Sequence, residues 1–131
     1  MSKTFLITGT ILAGLGVVLG AFGAHGLRKL VPAETVASYQ TGVQYQMYHA
    51  FALLILGLLA DRLVPAGQLQ YSGIFFLLGI ILFSGSIYII AAAKASEKVL
   101  PKAFFLTTPL GGLLFIVGWL LLLVALIKAK Q

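Results

Sequence analysis

Four long stretches of this chain contain no charged residue, and together they occupy most of its 131 positions. They run from Thr4 to Ala24, Thr35 to Ala60, Leu63 to Ala93 and Ala103 to Ile127. A helix needs roughly 20 apolar residues to cross a bilayer core, so each stretch is long enough. With 9% charged and 60% hydrophobic residues, the chain has too little charge to cover the surface of a soluble domain. The sequence therefore predicts an integral membrane protein.

The predicted fold class is all-α, an integral membrane bundle of four transmembrane helices in up-down antiparallel order. Short connections make successive helices antiparallel. The spans and their connections use up the chain, so residues 1–131 are expected to form a single four-span domain. The first apolar run is about 20 residues long and further spans follow it, which favours an uncleaved first span over a secretory signal peptide.

The basic residues, nine against three acidic ones, give a net charge of +6. They stand singly or in pairs at the span ends, as in Arg28-Lys29, where they anchor a helix to membrane lipid headgroups. This placement argues against nucleic-acid binding. The absence of cysteine excludes disulfides, thiol catalysis and thiolate-bound metals.

Span 1 is rich in glycine, and small faces let helix backbones approach closely in lipid. Gly16 and Gly20 form a GxxxG pair that Ala24 continues at the same spacing, and Gly23 lies nearby. We expect this face to pack against a neighbouring helix, and it is a candidate contact for a second copy of the chain or a membrane-protein partner. Gly9, outside the pair, is expected to tolerate alanine.

Span 2 is the unusual one, because only Ala50 to Ala60, about 11 residues, is cleanly apolar. To cross the membrane, the helix must also immerse the polar segment from Thr41 onward, which puts His49 close to the midplane. An ionisable group at that depth marks a functional hypothesis. We expect a neutral His49 ring. Its candidate hydrogen-bond partners are Gln44, Tyr45, Ser84, Ser86 and Thr108.

Folding the spans back and forth brings polar residues of all four helices into the same half of the membrane. The candidate cluster consists of His25, Gln44, Tyr45, Gln46, His49, Ser84, Ser86, Tyr88 and Thr108. These groups either bond to one another and hold the bundle together, or form a pocket for a small ligand, a lipid headgroup or a permeating species. A catalytic site is disfavoured because no carboxylate lies at this depth, so no catalytic residue is assigned.

A haem or metal site between the histidines is disfavoured by depth. His25 is level with about Thr41, eight residues before His49, a difference of roughly 12 Å along the axis. Opposed axial ligands would lie nearly level, and two imidazoles are a thin ligand set for a metal. No cofactor is therefore expected.

The same segments resemble the YgdD-type family of small bacterial inner-membrane proteins. The matching strings are Gly20-Ala21-Phe22-Gly23-Ala24-His25, Thr41-Gly42 followed by Tyr45-Gln46 and His49, Leu82-Phe83-Ser84-Gly85-Ser86 with Tyr88, and Thr108-Pro109 followed by Gly111-Gly112 and Gly118-Trp119. The resemblance touches all four spans in order and implies a multi-pass protein of the bacterial plasma membrane. No catalytic residue comes with it.

We therefore expect a non-enzymatic structural or accessory subunit that binds lipid or a partner. The alternative is a small transporter or channel component for a small solute or protons, lined by Gln44, Tyr45, His49 and Ser84.

An even number of spans places both termini on one side of the membrane. Basic residues, four on that side and five on the other, do not decide the orientation. The family resemblance favours cytoplasmic termini.

Overall fold

The computed structural model describes residues 2–130 and contains four long helices. Their bounds are Ser2–Ala24 for α1, Ala33–Leu59 for α2, Ala66–Ala95 for α3 and Thr107–Lys128 for α4. By length and composition, all four are able to cross a membrane. They pack as antiparallel neighbours, α1 on α2, α2 on α3 and α3 on α4. The predicted all-α bundle of four spans is confirmed.

The outer face of α1 stays open to the surroundings of the bundle. Val17 and Val18 are 64% and 65% exposed, and Ile7, Ile11 and Leu15 also point outward. An apolar exposed face at membrane depth is the normal surface that a span presents to lipid tails. α1 is therefore attached to the bundle mainly through α2.

The contact between α1 and α2 is a glycine seam with a seven-residue repeat. Gly9, Gly16 and Gly23 are buried, and each faces a residue of α2. A repeat of seven residues keeps one seam facing the partner when two helices cross with a left-handed twist. The seam therefore runs along α1 through every second turn.

This seam corrects the expected GxxxG register. A β-carbon added to Gly20 would lie 3.4 Å from Val43 Cγ1, an ordinary contact distance, so the α2 backbone is not close there. A β-carbon added to Gly9 would lie 2.8 Å from the carbonyl oxygen of Ala50. Gly9 is thus a point of close backbone approach. The GxxxG spacing suits a right-handed crossing, whereas the observed repeat follows the left-handed one.

α3 is interrupted by one π-helical segment, Ile80–Ser84, between the α-helical parts Ala66–Gly79 and Gly85–Ala95. α4 approaches closely at this point. A β-carbon on Gly111 would collide with the backbone nitrogen of Phe83 and lie 2.7 Å from its Cα. Segments of this kind frequently mark functional sites in helices.

The connection that follows α3 begins with a tight turn at Glu97, which has a φ of 57°. The amide of Lys98 donates to the carbonyl of Ala93 at 2.9 Å, and that of Glu97 to Lys94 at 3.2 Å. This pair of bonds is a Schellman motif, in which glycine is the usual residue at the left-handed position. The turn ends α3 and starts a connection that carries two lysines, Lys98 and Lys102.

Candidate functional site: a buried polar network beside an open crevice

Gln46 lies at the centre of a hydrogen-bond network between three helices. Its side chain is 3% exposed. Its amide nitrogen donates to the carbonyl of Leu12 on α1 at 2.8 Å, and its amide oxygen accepts from the hydroxyl of Tyr88 on α3 at 2.7 Å. Both ends of the amide are used, which fixes its orientation. Gln46 therefore ties α2 to both of its neighbours.

Tyr39 repeats the Gln46 contact to α1 one heptad away. Its hydroxyl donates to the carbonyl of Leu19 at 2.7 Å. Tyr39 precedes Gln46 by seven residues, and Leu19 follows Leu12 by seven, as antiparallel packing requires. A helical carbonyl has a second lone pair beyond the one used by its own helix, and both side chains bind there. The polar bonds thus follow the same repeat as the glycine seam.

Ser84 and Tyr88 bring α3 into the network. The hydroxyl of Ser84, which is fully buried, donates to the carbonyl of Gly42 at 2.6 Å. Side chains of a helix lean toward its N-terminus, so Gln46 leans toward Gly42 and Tyr88 leans toward Ser84. The two side chains meet for that reason, although the helices run in opposite directions.

Ser86 connects the π-helical segment to α4. Its hydroxyl donates to the carbonyl of Phe83 at 2.9 Å and is hydrogen-bonded to the hydroxyl of Thr108. A serine has only one hydroxyl hydrogen. Because that hydrogen goes to Phe83, Thr108 is the donor to Ser86. The pair anchors the first turn of α4 to α3.

His49 is buried, with 4% of its surface exposed. Its Nδ1 lies 2.7 Å from the carbonyl oxygen of Tyr45, and its Nε2 lies 2.9 Å from the indole nitrogen of Trp119 on α4. The ring also stacks on Phe115, with centroids 3.6 Å apart and planes at 9°. The histidine is therefore held on both edges and on one face.

Several expected partners of His49 are corrected by this geometry. Gln44 is exposed, and its side chain points away from the network. The hydroxyls of Ser84, Ser86 and Thr108 form the other bonds described above. Tyr45 bonds to Nδ1 of His49 through its backbone carbonyl and not through its hydroxyl. Residues one turn apart share a face, but Gln44 lies five positions before His49 and so points elsewhere.

The expected path lined by Gln44, Tyr45, His49 and Ser84 is not formed by these residues. Ser84 is fully buried and bonded to Gly42, while Gln44 faces outward. Tyr45 and His49 share a cavity on another side of α2. The four side chains therefore point in different directions and do not surround one channel.

His25 does not join the cluster either. It is exposed in the turn after α1, beyond the level where Gly23 packs on Tyr39. His49 follows Tyr39 by ten residues on α2, which is about 15 Å along the helix axis. The two imidazoles therefore do not face a common site. Within residues 2–130, no group of three or more histidine, aspartate or glutamate side chains has a metal-binding arrangement.

Trp119 is the residue that sequence reasoning missed. Tryptophan is most often placed at the membrane boundary, but Trp119 lies midway along α4. A comparison of depths could have indicated the contact between His49 and Trp119, because both residues lie near the middle of their spans. A second missed bond joins the hydroxyl of Ser72 to the carbonyl of Gly118 at 2.8 Å, outside the half in which the polar cluster was expected.

An open crevice lies between α2 and α4 beside the histidine. This lateral crevice has a volume of about 520 Å³. Its lining includes Tyr45, His49, Gly112, Leu113, Ile116 and Trp119. Trp119 is 44% exposed, so the crevice opens to the side of the bundle at membrane depth. The buried side chains of His49 and Phe115 form its inner wall, and apolar side chains form most of the rest.

A second cavity of about 520 Å³ lies toward the start of α2. This polar mouth is lined by Glu34, Thr35, Ser38, Thr41, Lys94 and Thr108, and by the apolar side chains of Ile87, Ile90, Ala91 and Phe105. Thr108 lines the polar mouth and its neighbour Pro109 lines the lateral crevice, so the two cavities are adjacent along α4. Hydroxyls and charges thus accompany apolar side chains at the membrane boundary, whereas among the described residues no lysine, arginine or carboxylate lines the deeper lateral crevice.

Known proteins resemble the chain over nearly its whole length. The family model described as "Protein of unknown function (DUF423)" matches residues 19–112. The UPF0382 membrane protein YwdK of Bacillus subtilis is 44% identical over 126 residues, covering 96% of this chain and 98% of that protein. UPF0382 inner membrane protein YgdD of Escherichia coli strain K12 is 37% identical over 130 residues, covering 99% of this chain and 94% of that protein.

A staphylococcal relative, UPF0382 membrane protein SAB0533 of Staphylococcus aureus, is 37% identical over 126 residues, covering 96% of this chain and 97% of its own. No solved structure matches the chain significantly. The resemblance to YgdD-type proteins is confirmed, and with it a multi-pass location in the bacterial inner membrane. The chain therefore belongs to the DUF423, or UPF0382, family of membrane proteins.

Proposed function

We propose that this protein is a non-enzymatic lipid-binding subunit of the bacterial membrane. In this proposal an acyl chain lies in the lateral crevice and the headgroup lies in the polar mouth. The observation that carries it is the order of the two cavities, with apolar surface beside Trp119 at membrane depth and hydroxyls near Thr108 at the boundary. A phospholipid has the same order of apolar and polar parts.

The placement of acidic groups supports a non-enzymatic role. Glu34 lies in the first turn of α2, Asp61 follows α2, and Glu97 follows α3. None of these three is at the depth of His49. Both nitrogens of His49 are already engaged by Tyr45 and Trp119. A general base needs a free nitrogen within reach of its proton donor, and here neither nitrogen is free.

The proposal is tested by filling the lateral crevice. A Gly112→Leu side chain would project into the cavity that Gly112 lines, because the nearest atoms to an added β-carbon are 3.8 and 4.0 Å away on Phe83. Gly14→Leu is the matched control, since Gly14 is exposed on α1 with nothing within 4 Å of an added β-carbon.

Native mass spectrometry of protein purified in dodecyl maltoside measures the bound lipid. We expect lipid adducts on the wild type and on Gly14→Leu, and their loss from Gly112→Leu. Equal adducts on all three would contradict the proposal. A dimer mass that disappears only in Gly112→Leu would instead assign the crevice to a second copy of the chain.

We also propose that both termini are cytoplasmic. The resemblance to YgdD-type proteins supports this orientation, since the distribution of charge does not decide it. Reporter fusions after Gln131 and after Lys98 are the test. We expect a cytoplasmic signal from the first and a periplasmic signal from the second, and the reverse pattern would overturn the orientation.

A further inference from the structure

The connection between α3 and α4 surrounds a third cavity with a strongly basic wall. Its volume is about 540 Å³, and Lys94, Lys98 and Lys102 all line it. Glu97 is the one acidic residue among its lining side chains. Three ammonium groups against one carboxylate leave a formal charge of +2 on this wall. We call it the lysine cavity.

The position of the lysines is not explained by helix stability alone. Lys94 lies in the last turn of α3, where a cation interacts favourably with the helix dipole. Lys98 is the last residue of the Schellman turn, and Lys102 begins the turn before α4. Neither of these two is part of the last turn of α3, so the dipole does not account for them.

Apolar side chains share the lysine cavity with the charges. Ile90 and Phe105 line it, and the same two residues with Lys94 also line the polar mouth. Val99, in the connection, is 96% exposed. The lysine cavity therefore adjoins the polar mouth and combines positive charge with apolar surface at the boundary of the spans.

We infer that the lysine cavity binds the phosphate of an anionic phospholipid whose other headgroup atoms lie in the adjoining polar mouth and whose acyl chain extends into the lateral crevice. This inference rests on the lipid-binding function proposed above and specifies the headgroup. The excess of ammonium groups matches a headgroup with uncompensated negative charge. The hydroxyl of Ser38 in the adjoining polar mouth is a donor for polar headgroup atoms, whereas the hydroxyl of Thr41 donates to the carbonyl of Ala37 and offers only its lone pairs.

The test titrates dioleoylphosphatidylglycerol into delipidated protein in dodecyl maltoside and compares it with dioleoylphosphatidylcholine. The test variant is the double change Lys98→Gln and Lys102→Gln. Its control, Arg28→Gln with Lys29→Gln, removes two charges at the other connection on the same side of the membrane, outside the lysine cavity. All four side chains are exposed, and equal melting temperatures check the fold of each variant.

Each lysine near an anionic lipid surface contributes enough for about a 5-fold change in affinity, so the test pair is expected to weaken phosphatidylglycerol binding about 25-fold. The control pair is expected to change it by less than about 2-fold, and phosphatidylcholine binding should be unaffected by either. In the wild type, added salt should weaken only phosphatidylglycerol binding.

Three outcomes would overturn the inference. Equal weakening by both variant pairs would indicate a general surface charge effect and no defined site. Equal affinity of wild type for the two lipids would remove the headgroup preference but leave the lipid-binding function standing. Binding of soluble glycerol 3-phosphate as tight as that of phosphatidylglycerol would assign the lysine cavity to a free phosphate compound and not to a lipid.

Discussion

The indole of Trp119 fixes the protonation state of His49. An indole nitrogen only donates, so Nε2 of His49, 2.9 Å away, must be the acceptor and carries no hydrogen. A backbone carbonyl only accepts, so Nδ1, 2.7 Å from the Tyr45 oxygen, must carry the hydrogen. His49 is therefore a neutral imidazole in the Nδ1–H form, as expected for an ionisable group in mid-membrane.

The first prediction concerns this tautomer. In ¹⁵N spectra of labelled protein at pH 7, His49 should show one protonated nitrogen, Nδ1, and one unprotonated nitrogen, Nε2. The background variant His25→Asn leaves His49 as the sole histidine, and His25 is exposed, so the change leaves the bundle intact. A spectrum with both nitrogens protonated would contradict the assignment.

In the same background, Trp119→Phe removes the donor while keeping an aromatic ring. Nε2 of the buried histidine is then left without its partner, at a cost of about 1–3 kcal/mol in the free energy of unfolding. Unfolding by SDS in mixed micelles, followed by circular dichroism, measures the loss. A stability equal to that of the parent would show that the bond contributes nothing.

The second prediction compares two glutamines on α2. Gln46→Leu deletes the bonds to Leu12 and Tyr88 and strands a tyrosine hydroxyl between helices, so we expect a loss of about 1–3 kcal/mol. Gln44→Leu makes the same chemical change two residues away on an exposed position. It should leave the free energy of unfolding unchanged within about 0.5 kcal/mol.

Thermal unfolding of both glutamine variants in dodecyl maltoside provides the measurement. If Gln44→Leu were as damaging as Gln46→Leu, the loss would reflect glutamine in general and not the network. The single tryptophan, Trp119, reports both transitions, and neither substitution touches it.

The spans and the side chains of the polar network were predictable from sequence, but several of their partners were not. Length and charge-free runs determine the four helices, and depth places Gln46, His49 and Ser84 in the same region. The acceptors at Leu12 and Leu19 are backbone carbonyls. Every residue has a carbonyl, so the amino-acid sequence carries no signal for which one accepts a side-chain bond.

The register of α1 was unpredictable for a different reason. Its many glycines offer several small faces, and the choice between them depends on the handedness of the crossing with α2. That handedness is a property of the packed pair. The sequence of α1 alone therefore does not distinguish Gly9 from Gly20 as the closer contact.

The third prediction tests this register with two equivalent substitutions. Gly9→Ala places a methyl group 2.8 Å from the Ala50 carbonyl oxygen, and a helix backbone does not yield easily, so we expect a loss of about 1–3 kcal/mol. Gly20→Ala meets only Val43 at 3.4 Å. It should be neutral or stabilising by up to about 1 kcal/mol, because alanine favours the helix.

The free energies of unfolding in SDS mixed micelles decide between the two registers. A tolerant Gly9 together with a damaging Gly20 would restore the GxxxG seam and contradict the seven-residue repeat.

The fourth prediction concerns the contact between α4 and the π-helical segment of α3. Gly111→Ala would drive a methyl group into the backbone of Phe83, with its nitrogen and Cα as the colliding atoms. Because backbone atoms of both helices are involved, rotamer changes do not relieve the clash, and we expect a loss of about 3 kcal/mol or more. Gly112→Ala is the adjacent control, with Phe83 ring atoms at 3.8 and 4.0 Å, and should be tolerated. Thermal unfolding in dodecyl maltoside compares the pair. Equal stability of the two variants would mean that α3 and α4 do not pack backbone to backbone at Phe83.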